Sequence, residues 1–133
     1  MSMSSRVVLR KVRFARAKVH AVRNENAEAR AIYEQLAQDV SKEEGAESAY
    51  NVIRATYEAG DMVTAENMIY DLADKKTPQT YWLGRAFVIL GNIYADKGDA
   101  FQARATYQSI IDGYMPADDG VVDEAKRCME KLD

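Results

Sequence analysis

The chain is expected to be all-α, with helical hairpins stacked as an α-α solenoid and closed by a C-terminal capping helix. Three observations predict this. Apolar residues recur at steps of three and four in seven successive stretches. No stretch alternates apolar and polar residues as a half-buried strand would. Turn signals recur at near-constant spacing: AGDMVTA lies 38 residues before KGDAFQA, counting Gly60 to Gly98, and Asn24 lies 36 before Gly60. Internal repetition of this length marks a repeat architecture. The clearest unit runs from Leu90 to Ile111, LGNIYADKGDAFQARATYQSII, an apolar helical pattern on each side of a Gly-Asp turn.

In order, the first helix is expected from about Arg6 to Arg23. Val8, Val12, Ala15, Val19 and Val22 make its main inward stripe, and Phe14, Ala17 and Ala21 an adjacent one. Asn24-Glu25-Asn26 is turn-prone. The second helix, about Ala27 to Val40, sets Ala29, Ile32, Tyr33 and Leu36 inward. SKEEGAES is a loop or a helix start. Ala46, Ala49, Tyr50, Ile53 and Tyr57 then form the third stripe, ending at Gly60. Asp61 is expected to cap the fourth helix, whose inward residues are Ala65, Met68, Ile69 and Leu72.

Thr77 and Pro78 read as N-cap and first residue of the fifth helix, since proline's missing N–H is no loss there. That helix, to about Lys97, is apolar nearly all round and is expected between neighbours on several sides. Asp99 with Gln102 forms a capping-box pattern for the sixth helix, with Ala103, Tyr107, Ile110, Ile111 and Tyr114 inward. Met115-Pro116-Ala117 breaks the chain. Asp118 and Asp119 then favour a helix start, and Val122, Ala125, Met129 and Leu132 give the last helix one apolar side, as a terminal cap requires. The whole, 1–133, reads as a single domain with hairpins at 6–40, 46–74 and 78–115 and a cap at 118–132. Residues 1–5 are expected to be disordered or vector-derived.

Composition excludes several classes. With 47% hydrophobic and 29% charged residues the chain is neither a disordered tail nor a membrane protein. No apolar run approaches the ~18 residues of a spanning helix, and MSMSSRVVLR lacks the apolar core of a signal peptide. The compartment stays open: cytoplasmic by default, periplasmic if the segment belongs to an exported parent. The single cysteine excludes an intramolecular disulfide framework. The net charge of −3 conceals an asymmetry. Seven basic and no acidic residues precede Asn24, leaving 11 of the 18 basic and all 21 acidic residues for the rest. A basic helix on an acidic body suggests nucleic acid, an acidic partner, or pairing within the chain.

The third hairpin resembles the tetratricopeptide repeat. Phe87, Leu90-Gly91 and Tyr94 stand at the signature positions of its first helix, Ala103, Tyr107 and Ile110 at those of its second, and Pro116 follows one residue late. The second hairpin keeps Gly60-Asp61, Ala65 and Leu72. In the first, Ala29 and Tyr33 match, Asn24 replaces the turn glycine, and Arg13 and Arg16 fall on positions that are usually apolar. The resemblance covers roughly residues 11–116, and the chain is similar to the terminal repeats of a longer bacterial array. It implies a right-handed superhelix whose concave groove, lined by the first helix of each hairpin, binds a partner segment.

Transferred to this chain, the groove positions are Lys11, Lys18, Tyr50, Asn51, Arg54, Tyr57, Arg85 and Asn92, opposed by Glu47, Glu58 and Asp96. Asn51 and Arg85 fall where some members clamp a C-terminal carboxylate. Phe14 and Ile89 occupy the other clamp positions, so the clamp is not complete.

Nothing in the residues calls for catalysis, a cofactor or a metal. His20 is the sole histidine and stands at a packing position, Cys128 has no histidine nearby in sequence, and no phosphate-cradling glycine loop occurs. The leading expectation is a protein-interaction module whose partner is a protein or peptide, acidic or amphipathic. The alternatives are nucleic-acid binding through the basic first helix, which its apolar faces and the acidic body disfavour, and a structural, homodimerising segment.

Overall fold

The computed structural model describes residues 4–132. Among them lie seven helices and no strand: α1 (Ser5–Val22), α2 (Asn26–Leu36), α3 (Glu43–Glu58), α4 (Met62–Asp74), α5 (Thr80–Asp96), α6 (Ala100–Gly113) and α7 (Val121–Glu130). Each odd helix touches the next odd helix, and each even helix touches both of its chain neighbours. The even helices do not touch one another. The odd helices therefore form a continuous row with the even ones propped against it.

Three turns are built alike. Asn24, Gly60 and Gly98 all take a left-handed backbone, at φ 61°, 88° and 80°. In each, the next residue's N–H reaches back five residues: Glu25 to His20, Asp61 to Thr56 and Asp99 to Tyr94, at 2.9, 3.2 and 2.9 Å. That bond closes the preceding helix by the left-handed ending glycine favours, which asparagine tolerates at a small cost. Asp61 and Asp99 then accept from the N–H groups of Thr64 and Gln102 at 3.3 and 3.1 Å, capping α4 and α6. Only half of the expected capping box at Asp99 can form, because the Asp99 N–H already bonds Tyr94.

SKEEGAES is a helix start, one of its two expected readings, and belongs to α3 from Glu43 onward. Two other helix starts differ from expectation. Thr77 does not cap α5, which begins at Thr80 after Gln79. The Thr77 hydroxyl is buried and donates to the Val40 carbonyl at 2.5 Å, so it ties two linkers together. At α7 the N-cap is Gly120, and Asp119 sits one residue before it, accepting from the Val121 N–H at 3.1 Å and from the Tyr114 hydroxyl. Of residues 1–5, Ser4 caps α1 through the Val7 N–H and Ser5 opens the helix, against the expected disorder. Residues 1–3 lie outside those described.

The central core gathers Tyr50 and Ile53 from α3, Ile69 and Leu72 from α4, and Ile89 and Ile93 from α5. A second groups Val88, Tyr107, Ile110 and Val121 around α5, α6 and α7. Helix α5 contacts α3, α4, α6 and α7, which is why its sequence is apolar nearly all round. The third core is small, and α1 contributes only Ala17 as a fully buried residue, with Phe14 and Ala21 half-buried beside it. The expected main stripe of α1, Val8, Val12, Ala15, Val19 and Val22, is exposed instead. Both apolar stripes were legible, but α2 and α3 approach from one side only, and they cover the Phe14–Ala17–Ala21 stripe.

Candidate functional site

The eight groove candidates lie on α1, α3 and α5, and most are already engaged. Helix α1 sends Lys11 to Glu44 at 3.3 Å and Lys18 to Glu47 at 3.5 Å, both on α3. Lys18 also lies 4.4 Å from the centre of the Phe14 ring. Glu44 is the anchor of this contact, since Arg10 reaches it as well at 2.7 Å. Burial would push the Glu44 carboxyl up, but hydrogen bonds from Arg10 and Lys11 outweigh it and hold the group below the ordinary glutamate value.

A carboxyl that titrates lower when folded gives a contribution fully present above its unfolded pKa, about 4.3, and lost as pH falls through the folded value. Glu44→Gln is therefore expected to be less stable than the parent at neutral pH, and the gap should close in acid. Urea midpoints across a pH series check this.

Tyr50 and Arg85 are brought together. Tyr50 is buried, and the two guanidinium NH groups of Arg85 donate to the Tyr50 and Tyr81 hydroxyls, each at 3.0 Å. The guanidinium carbon stands 4.8, 5.7 and 5.9 Å from the Tyr50, Tyr81 and Trp82 ring centres, an arrangement that favours a cation over aromatic faces. Glu124 of α7 completes the shell at 3.9 Å. Arg85 thus pins α3, α5 and α7 together. Asn51, the other clamp-like residue, is half-buried on α3 next to Tyr50.

Further along the same helices, the Tyr57 hydroxyl donates to Asp96 at 2.6 Å. Burial together with that bond pushes the Tyr57 pKa up to about 12. Asn92 accepts from the Tyr107 hydroxyl at 2.5 Å. Cys128 is half-buried next to Tyr107, and burial pushes its thiol up, away from the reactive thiolate. His20 is half-buried, with Nδ1 3.4 Å from Glu25.

Arg54 differs from the other cations. Its side chain is exposed, and its only ion pair among the described residues is Glu58 at 3.8 Å, one turn on along α3. An exposed pair of that kind contributes little, so Arg54 is free to turn toward a ligand. Of the acidic residues expected to oppose the cations, Glu47 pairs with Lys18 and Glu58 with Arg54, whereas Asp96 instead accepts from the Tyr57 hydroxyl; Glu44 and Glu124 were not foreseen. Both lie on neighbouring helices at sequence separations of more than 30, where no local pattern could point to them.

Two apolar clefts were also not foreseen. One, of about 210 Å³, opens where α2 and α4 fail to meet, with Ala49, Val52 and Ile53 as floor and Glu34, Asp71 and Lys75 at the rim. The other, of about 470 Å³, lies between α5 and α6 beside Phe87, Tyr114 and Met115. Among the described residues no group of three or more His, Cys, Asp or Glu is placed to hold a metal, and no helix is long and apolar enough to cross a membrane.

Comparison with protein-family models, with curated proteins and with solved structures finds no match to this chain.

Proposed function

We propose that the chain is a protein-interaction module of the tetratricopeptide type. Its three hairpins and cap would form a right-handed superhelix, and a partner segment, acidic or amphipathic, would lie along the face of the odd helices. The observation that carries this reading is the repeated turn. Three left-handed residues at near-constant spacing close their helices with the same backward hydrogen bond and set each hairpin alike. Stacked equivalent hairpins leave an extended face, and such faces bind extended or helical segments.

On that face Arg54 and Asn51 are the groups best placed for a ligand, because Arg85 serves the fold. Reversing charge at Arg85 would disrupt the aromatic shell, so it cannot report on binding alone. Arg54→Glu is expected to weaken partner capture roughly tenfold, and Asn51→Ala less, with the melting temperature unchanged. Capture from the source organism's lysate, quantified against both variants, checks this; capture that is equal in all three would refute the reading.

A further inference from the structure

We propose that the outer face of α1 is a second docking surface, built for an acidic amphipathic helix of another protein. Helix α1 meets only α2 and α3, and both lie on the side of Ala17 and Phe14. On the opposite side Val8, Val12 and Val19 align along the helix, with Val22 at its end, and they are 45%, 49%, 49% and 84% exposed. With Leu9, α1 holds five of the nine large hydrophobic residues exposed among those described. Residues of this type are normally found exposed singly, and a line of them marks an interaction surface.

Charge identifies the occupant. Helical spacing sets Lys11 and Lys18 along one edge of the valine line and Arg16 and Arg23 along the other. The two lysines are paired with Glu44 and Glu47, whereas Arg16 and Arg23 have no ion-pair partner among the described residues. An apolar stripe between cationic edges is complementary to a helix whose apolar stripe runs between carboxylates, the rule that selects partners in coiled coils. The first turn of α1 carries no acidic residue, so its dipole also favours carboxylates brought by the partner. Two copies of α1 face to face would set cation against cation in any orientation. The stripe holds no aromatic residue of the kind that anchors a helix in lipid headgroups, and its valines and Ala15 are short enough for another helix to approach closely.

The test uses the full chain and a synthetic helical peptide with a Leu/Ile stripe flanked by Glu, titrated by fluorescence anisotropy. A twin peptide with Lys for each Glu is the control. The Glu peptide is expected to bind roughly tenfold or more tightly than its twin, and less tightly as salt is raised. The Val12→Asp/Val19→Asp variant, altered only at exposed positions, should weaken it roughly tenfold with an unchanged helical spectrum. Binding of neither peptide, equal binding of both, or unaltered affinity in the variant overturns the proposal. So does a dimer seen by light scattering, or flotation on phosphatidylserine vesicles, that the variant abolishes, since the face would then belong to a second copy or to a membrane.

Discussion

Replacing Gly45 with alanine is expected to cost roughly 3 kcal/mol of stability, the upper end of an overpacking penalty, and to lower the melting temperature by roughly 10 °C. Gly45 lies in the first turn of α3, and a Cβ there would stand 1.9 Å from the Asp39 carbonyl oxygen and 2.8 Å from that of Leu36. Backbone cannot rotate away as a side chain can. The linker is also held on every side: Ser41 bonds the Asp39 carboxylate, Thr77 holds the Val40 carbonyl, and Gln79 holds that of Ser41. Making room for one methyl group therefore means detaching the linker from α5. Gly113→Ala is the control, because a Cβ there meets nothing within 4 Å. It should be neutral or slightly stabilising, and thermal and urea unfolding of the two variants checks both statements.

Gly91→Ala is the second large effect, expected at roughly 3 kcal/mol. The added Cβ would stand 2.3 to 2.8 Å from three ring carbons of Tyr107. That ring is 1% exposed and its hydroxyl is held by Asn92, so it has nowhere to go. Here the obstacle is a side chain, which allows a sharper test. In a Tyr107→Leu background the same substitution should cost less than about 1 kcal/mol, a coupling of roughly 2 kcal/mol in a double-mutant cycle. Additive costs would mean that the Gly91–Tyr107 contact does not set the spacing of α5 and α6.

These glycines show what could be read from the residues. Gly91 was legible because it stands beside Leu90 in a repeat signature whose second aromatic is Tyr107. Gly60 and Gly98 were legible because a left-handed helix ending favours glycine, and Asn24 could be recognised as their counterpart. Gly45 was not, since the carbonyl it accommodates belongs to an irregular linker. Thr77 was read only in part: its hydroxyl accepts from the Gln79 N–H at 3.1 Å as a local cap would, but the helix begins only at Thr80, and the same hydroxyl donates to Val40 in a distant linker.

On α1 the valine period correctly announces a helix with an apolar stripe. Periodicity gives a face, however, and not the neighbour that covers it. Arg10 completes the reversal, because it lies half-buried on the packed side through its bond to Glu44. The candidate groove shows the same limit. The resemblance located Tyr50, Tyr57, Arg85 and Asn92 on the odd helices, but side-chain partners contributed by α6 and α7 draw Arg85 and Asn92 into the fold. That leaves Arg54 as the uncommitted cation on α3.

The most direct measurement is photo-crosslinking from the odd-helix face in the presence of source-organism lysate. A benzoylphenylalanine at position 58, exposed one turn beyond Arg54 on α3, is compared with one at position 63, where Val63 is exposed on α4. A partner bound along the odd helices gives one discrete cross-linked protein from position 58 and none from position 63. Equal cross-linking from both positions, or from 63 alone, would contradict such binding.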